Sequence, residues 1–300
     1  MSTPAAPGPP VPVSAAPVSA APVSAAAQPG RQTRGHGRIA EAFARARAED
    51  RAALIIYLTA AYPDAATSRA CFAAAVEAGA DILEVGLPFS DPMMDGPVIQ
   101  AANQHVLESG VGVSGQLELV RSLGDLAVPK LAMTYVTIAD TRGYAAFAAE
   151  LAAADVSGVI LPDLPVAEAD AWLDAAAQHE LATVFLASSV STDQRLAAIG
   201  VASSGWVYAA GLLGVTGVNA MVGDVTRELV GRVRTHTDLP VAVGIGVRDR
   251  ESAAEVARFA DGVIVGSAVV RAAGEGDPAG APARVGALVR ELRAGVADRG

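Results

Sequence analysis

Residues 82–97 read Ile-Leu-Glu-Val-Gly-Leu-Pro-Phe-Ser-Asp-Pro-Met-Met-Asp-Gly-Pro, with Glu84 a single carboxylate inside an apolar, strand-like run and Asp95 in a following loop rich in Gly and Pro. A charge on a strand buried on both faces is costly unless it is paired or its pKa shifts, so such a residue is usually kept for chemistry. Two carboxylates, one held on a strand and one on a loop, suit general acid and base work. A plainer alternative pairs Glu84 with a neighbouring side chain and makes Asp95 the N-cap of the next helix. Spacing alone leaves both open.

A second set of residues could hold an anion. Gly214-Val215-Thr216-Gly217, Gly244-Ile245-Gly246 and Gly266-Ser267 each follow a short apolar run. Glycines let a backbone approach an anion and expose its N–H groups, and a helix N-terminus adds partial positive charge. Any one of these segments could be no more than a tight turn; three in succession point to a phosphate.

Other chemistries lack their residues. Lys130 is the only lysine and precedes an apolar run, at the end of the fold opposite the expected active face, so a Schiff-base mechanism has no nucleophile. His36, His105, His179 and His236 are scattered without metal-ligand spacing, and no metal is implied. No glycine fingerprint followed by an acidic residue supports a nicotinamide cofactor. Cys71, the sole cysteine, sits in an Ala-rich helical pattern and reads as a packed residue in a reducing, cytoplasmic setting. Cofactor-free acid/base chemistry on a phosphorylated small molecule remains.

The elements that must position these residues alternate along the chain. Strand candidates are Leu54–Thr59, Ile82–Gly86, Leu131–Tyr135, Gly158–Leu161, Thr183–Ala187, Trp206–Ala210, Val241–Gly244 and Gly262–Val265. Helical patterns lie between them at Thr67–Ala78, Tyr144–Ala153, Ala167–His179, Asp193–Val201 and Arg250–Arg258, so every crossover can carry a helix and all strands can run parallel. Eight such units in one chain of this length favour an α/β fold of a single (β/α)8 barrel over an open doubly wound sheet. In that barrel the active site lies at the C-terminal strand ends, with phosphate held after strands seven and eight.

Composition sets further bounds. A hydrophobic share of 52% supplies a sizeable core, and a net charge of −10 argues against a nucleic-acid or anionic-membrane surface. No run is apolar for long enough to span a bilayer. Pro-Val-Ser-Ala-Ala recurs three times from Pro12, and such a tract buries too little to offset its ordering entropy, so residues 1–38 read as a disordered tail and 39–300 as the barrel. Arg31, Arg34, His36 and Arg38 then form a solvated hinge.

Four motifs now carry a resemblance. Leu83-Glu84-Val85-Gly86-Leu87-Pro88-Phe89-Ser90-Asp91-Pro92, then Asp95-Gly96-Pro97-Val98-Ile99-Gln100, then Leu161-Pro162-Asp163-Leu164-Pro165, then Gly214-Val215-Thr216-Gly217, resemble the successive signatures of the tryptophan synthase α subunit family, in order, over about residues 39–290. The resemblance implies a lyase of tryptophan biosynthesis that cleaves indole-3-glycerol phosphate to indole and glyceraldehyde 3-phosphate. It also implies an α2β2 partnership with a β subunit, which carries the pyridoxal phosphate. Carried over by position, Glu84 is the acid/base and Asp95 accepts the indole N–H proton. Tyr57, Tyr135 and Tyr208 fall at substrate positions, and Gly217, Ile245, Gly246, Gly266 and Ser267 at phosphate positions. Asp91 and Thr216 belong to loops that close over substrate. The chain departs from the family at Thr137 and Ile138, where Asn-Pro is usual, at Ser188-Ser189, which lacks a proline, and at Gly211, often a serine. The first departure touches partner coupling, so a stand-alone lyase releasing free indole, or a catalytically weak subunit that activates a β partner, stand as alternatives.

Overall fold

The computed structural model describes residues 33–211, 219–244 and 246–298. Eight parallel strands close into one barrel in sequence order: β1 Ala53–Thr59, β2 Ile82–Gly86, β3 Lys130–Met133, β4 Gly158–Ile160, β5 Ala182–Ala187, β6 Val207–Ala209, β7 Val241–Val243 and β8 Gly262–Val265. The ladder closes where β1 pairs with β8, Ile56 opposite Val265. Around it run α1 Arg34–Ala48, α2 Ala65–Glu77, α3 Pro97–Glu108, α4 Val113–Ser122, α5 Val136–Arg142, α6 Tyr144–Ala153, α7 Asp170–Gln178, α8 Asp193–Ala202, α9 Asn219–Arg234, α10 Arg250–Ala257, α11 Ser267–Gly274 and α12 Ala281–Val296. The barrel is therefore the (β/α)8 fold that the alternation of apolar runs predicts.

Two cores follow from the pleat. Side chains alternate across a strand, so one set faces the helices and the other the barrel axis. Outward residues such as Leu54, Leu83, Val159 and Val263 join the helix faces in one cluster. Inward residues Ile55, Ile82, Leu131, Ile160, Val184, Trp206 and Ile264 form a second, inside the barrel. Helix α1 seals the lower end of that inner core with Ile39, Ala42, Phe43 and Ala46, spaced to share one helical face. Phe43 meets Trp206 at 6.0 Å between ring centroids.

The tail boundary placed at residue 38 is corrected here. Helix α1 opens at Arg34 with Thr33 as N-cap, its side chain accepting from the His36 N–H at 3.1 Å. Gly35 is buried and donates its N–H to the Glu180 carbonyl at 3.0 Å, His36 Nδ1 meets the Ser204 carbonyl, and Arg38 pairs with Asp155 at 2.9 Å. The cluster read as a solvated hinge is, from Arg34 onward, the first turn of a docked helix. Residues 1–32 lie outside the described residues.

Lys130 opens β3 at the lower end of the barrel, fully buried, with Nζ 3.2 Å from Asp155 and 3.3 Å from the Leu126 carbonyl. It is structural and far from the strand ends that carry the site. Cys71 is buried on α2, and burial pushes its thiol up to about 11.

Candidate active site

The inward period of two also builds the upper layer of the barrel. In β1, Ile55 belongs to the inner core, so Tyr57 two residues on points the same way; in β2, Ile82 places Glu84 likewise, and the two are register partners. The same count brings Met133, Tyr208 and Gly244 inward on the following strands. These residues, with Ile264, Gly266 and Ser267 from β8 and its helix, and Met94, Asp95, Gly96 and Ile99 from the loop after β2, line a cavity of about 200 Å³ at the C-terminal strand ends. Two glycines make room for its aromatic walls. A Cβ on Gly86 would collide with the Tyr57 phenol, and one on Gly244 with the Tyr208 phenol.

Glu84 is wholly buried, and neither carboxylate oxygen has a hydrogen-bond partner among the described residues. The ion-pair alternative is thereby removed. Burial alone pushes its carboxyl up to about 8, so near neutrality it holds a proton. Asp95 is not the N-cap of α3, a place taken by Gly96; its side chain turns to the cavity, where the Asn103 Nδ2 donates to its Oδ2 at 3.3 Å. Burial lifts Asp95 to about 6, while Tyr135 and Asn103 favour its charged form. One carboxyl neutral and its neighbour ionised in one pocket is the split that lets one donate a proton and the other accept one.

Tyr135 stands behind Asp95 instead of lining the cavity. It is buried, stacks on Phe89 at 5.1 Å, and its hydroxyl accepts the Met94 N–H at 3.0 Å, bracing the loop between Asp91 and Asp95. Burial and the neighbouring Asp95 both raise its phenol above the usual range. Asp91 lies exposed at the rim, accepting from the Ser90 hydroxyl at 2.6 Å.

At the other end of the cavity, Gly246 has φ +59, a left-handed conformation that disfavours most side chains, and Gly266 precedes the first residue of α11, Ser267. A turn after β7 and a helix N-terminus after β8 thus face one pocket, as an anion site requires. Thr216, Gly217 and Ile245 lie outside the described residues.

The comparisons with known proteins fit this geometry. Residues 43–296 match the family model described as tryptophan synthase alpha chain. The chain belongs to that family. It is 49% identical over 261 residues to a tryptophan synthase alpha chain of Streptomyces avermitilis, covering 86% of this chain and 94% of the relative. It is 47% identical over 268 residues to that of Mycobacterium marinum, covering 89% and 98%. Among solved structures, ligand-free tryptophan synthase from M. tuberculosis superposes with a TM-score of 0.79 at 45% identity, covering 87% of this chain and 99% of that one. The alpha subunit from Legionella pneumophila gives 0.77 at 31% identity, covering 86% and 98%.

Within the family's fold, Asn103 is the residue that sequence reasoning missed. Ile99, Ala102 and Val106 set a helical stripe on α3 that expects an apolar residue at 103, and the polar side chain there is the signal. Met94, Met133 and Val247 line the cavity without any local signature, since only the closed barrel brings them together.

Proposed function

We infer that this chain is the α chain of a tryptophan synthase and cleaves indole-3-glycerol phosphate to indole and glyceraldehyde 3-phosphate. The observation that carries the chemistry is the unpaired, buried Glu84 beside an ionised Asp95 in one cavity. In this reading the protonated Glu84 delivers its proton to indole C3, which becomes tetrahedral, and as positive charge develops on the ring nitrogen its N–H proton passes to the Asp95 carboxylate, which returns it when the ring is restored. The Glu84 carboxylate then takes the proton of the adjacent glycerol hydroxyl. The C–C bond breaks, its electron pair restores the indole ring, and the hydroxyl carbon leaves as an aldehyde. Proton count and charge balance without any cofactor.

The walls support binding of the same molecule. Tyr57, Ile99, Met133 and Tyr208 offer an apolar and aromatic slot for a flat ring, while Gly246, Gly266 and Ser267 would take the phosphate through N–H and hydroxyl groups. Thr216, Gly217 and Ile245 belong to this proposal by position in the motif. A β subunit as partner in an α2β2 assembly, and a cytoplasmic setting, complete it. No helix among the described residues is long and apolar enough to cross a membrane.

The test is to mix the purified chain with indole-3-glycerol phosphate, alone and with a β subunit, and to follow both products. Release of indole and aldehyde in equal amounts is expected, with Glu84→Gln and Asp95→Asn each slower by roughly 10²–10⁴-fold, the usual cost of a lost acid or base. Wild-type rates in both variants would dismiss the assignment, and no cleavage with either partner state would dismiss the substrate.

A further inference from the structure

Helix α3 directs two side-chain amides back at Asp95, the residue before its N-cap. Gln100 Nε2 donates to the Asp95 carbonyl at 2.8 Å, fixing the backbone, and Asn103 Nδ2 donates to the carboxylate Oδ2 at 3.3 Å. Asn103 does not line the cavity, and it is buried at 3% exposure between the apolar positions Ala102 and Val106. Its Oδ1 has no hydrogen-bond partner among the described residues. An amide with a buried orphan acceptor weakens a fold relative to an apolar residue of the same shape, so packing alone does not account for asparagine here. The carboxylate does, because turning the amide over would set oxygen against oxygen.

We propose that Asn103 is a positioning residue, which holds the ionised Asp95 carboxylate at the cavity and keeps it ready to accept a proton. Among the described residues, the titratable groups facing Asp95 from the packed elements are Tyr57 on β1, Glu84 on β2, Tyr135 after β3 and Tyr208 on β6. None of them is a cation. Burial raises Asp95 to about 6, and the donors that oppose it are the Tyr135 hydroxyl and the Asn103 amide. With the amide removed, the carboxyl titrates closer to neutrality and a larger share is protonated at working pH, where it can no longer accept. The geometric claim stands on its own; its catalytic meaning rests on the lyase reading above.

The experiment is a carbon-13 carboxyl titration of aspartate-labelled protein, with the Asp95 signal assigned by its loss in Asp95→Asn. Asn103→Leu, nearly isosteric, should raise the Asp95 midpoint by about one pH unit, the scale of one lost hydrogen bond to a charge, while its melting temperature holds or rises. The acid limb of kcat should move up by the same amount, with KM changed little and kcat returning to within about threefold of wild type well above the midpoint, where Asp95 is again ionised. Asn103→Ser, too short to reach, serves as the second variant if the first does not fold. In wild type the Asn103 side-chain amide resonances should titrate together with Asp95. An unmoved Asp95 midpoint in either variant, or amide resonances indifferent to it, overturns the proposal. A moved midpoint in a chain that cleaves nothing would leave the positioning role intact and remove the lyase reading instead.

Discussion

Glu84 stores a cost in the folded state that the proposed chemistry explains. Both oxygens are buried without partners, and its carboxyl moves from 4.5 to about 8 on folding. Between those values the folded chain keeps a proton that the unfolded chain has released. The contribution of Glu84 to stability therefore falls as pH rises from about 4.5 and levels off above 8. Glutamine fills the same space and never ionises, so Glu84→Gln should melt above wild type at pH 8 and nearly level with it at pH 5. The gain at the higher pH is of the order of a few kcal/mol, since each tenfold change in proton affinity is worth about 1.4 kcal/mol. Thermal melts at the two pH values check this, and an equal gain at both would mean that Glu84 is not held protonated. The sequence showed this residue because a charge interrupts an apolar strand. It did not show Asn103, which breaks a helical stripe more quietly and whose partner lies eight residues back on a loop.

Elements were legible where a repeat period could speak. Seven-residue β1 and the other strands lie within one or two residues of the positions their apolar runs predict, and the pleat then decides which residues face the cavity. The start of α1 was hidden because its contacts are non-local: a glycine N–H on the Glu180 carbonyl and an arginine on Asp155, both more than a hundred residues away. A chain shortened to begin at Thr33 should melt as the full chain does. One beginning at Ile39 loses the Thr33 cap, the Gly35 bond and the Arg38 ion pair, and should fall by roughly 1–3 kcal/mol in denaturant unfolding. Equal stability of the two would return the domain boundary to residue 38. The turn after β7 makes its own test. Gly246→Asp adds charge where the phosphate would sit, while aspartate tolerates a left-handed φ better than most residues. Affinity for glycerol phosphate should drop by tenfold or more, about 1.4 kcal/mol, with a smaller change in unliganded melting. Matching losses of binding and folding would make that glycine a turn residue alone.

For the molecule as a whole, the cavity and the segment after β3 carry separate expectations. The cavity brings Glu84 and Asp95 together, as the proposed lyase chemistry requires, and the loop between Asp91 and Asp95 is braced by Tyr135. Directly after that tyrosine, α5 begins at Val136, whose N–H is held by Asp163 at 2.8 Å, and Thr137 and Ile138 follow where the family resemblance leads one to expect Asn-Pro. Ile138 is buried and donates its N–H to the Tyr135 carbonyl at 3.0 Å, a bond a proline could not make. That bond ties the start of α5 to the residue that braces the Asp95 loop. A partner that acts by completing the site shifts a closed state that the isolated chain populates only in part. Adding a β subunit should then raise the cleavage rate at least tenfold, a coupling of about 1.4 kcal/mol or more, within the ordinary allosteric range. Ile138→Pro, which severs the extra bond, should lower the rate of the isolated chain more than that of the complex. An isolated chain that already turns over at about 1 s⁻¹, ordinary for a working enzyme, and ignores a β subunit would identify a stand-alone lyase whose loop is held ready by α5 itself.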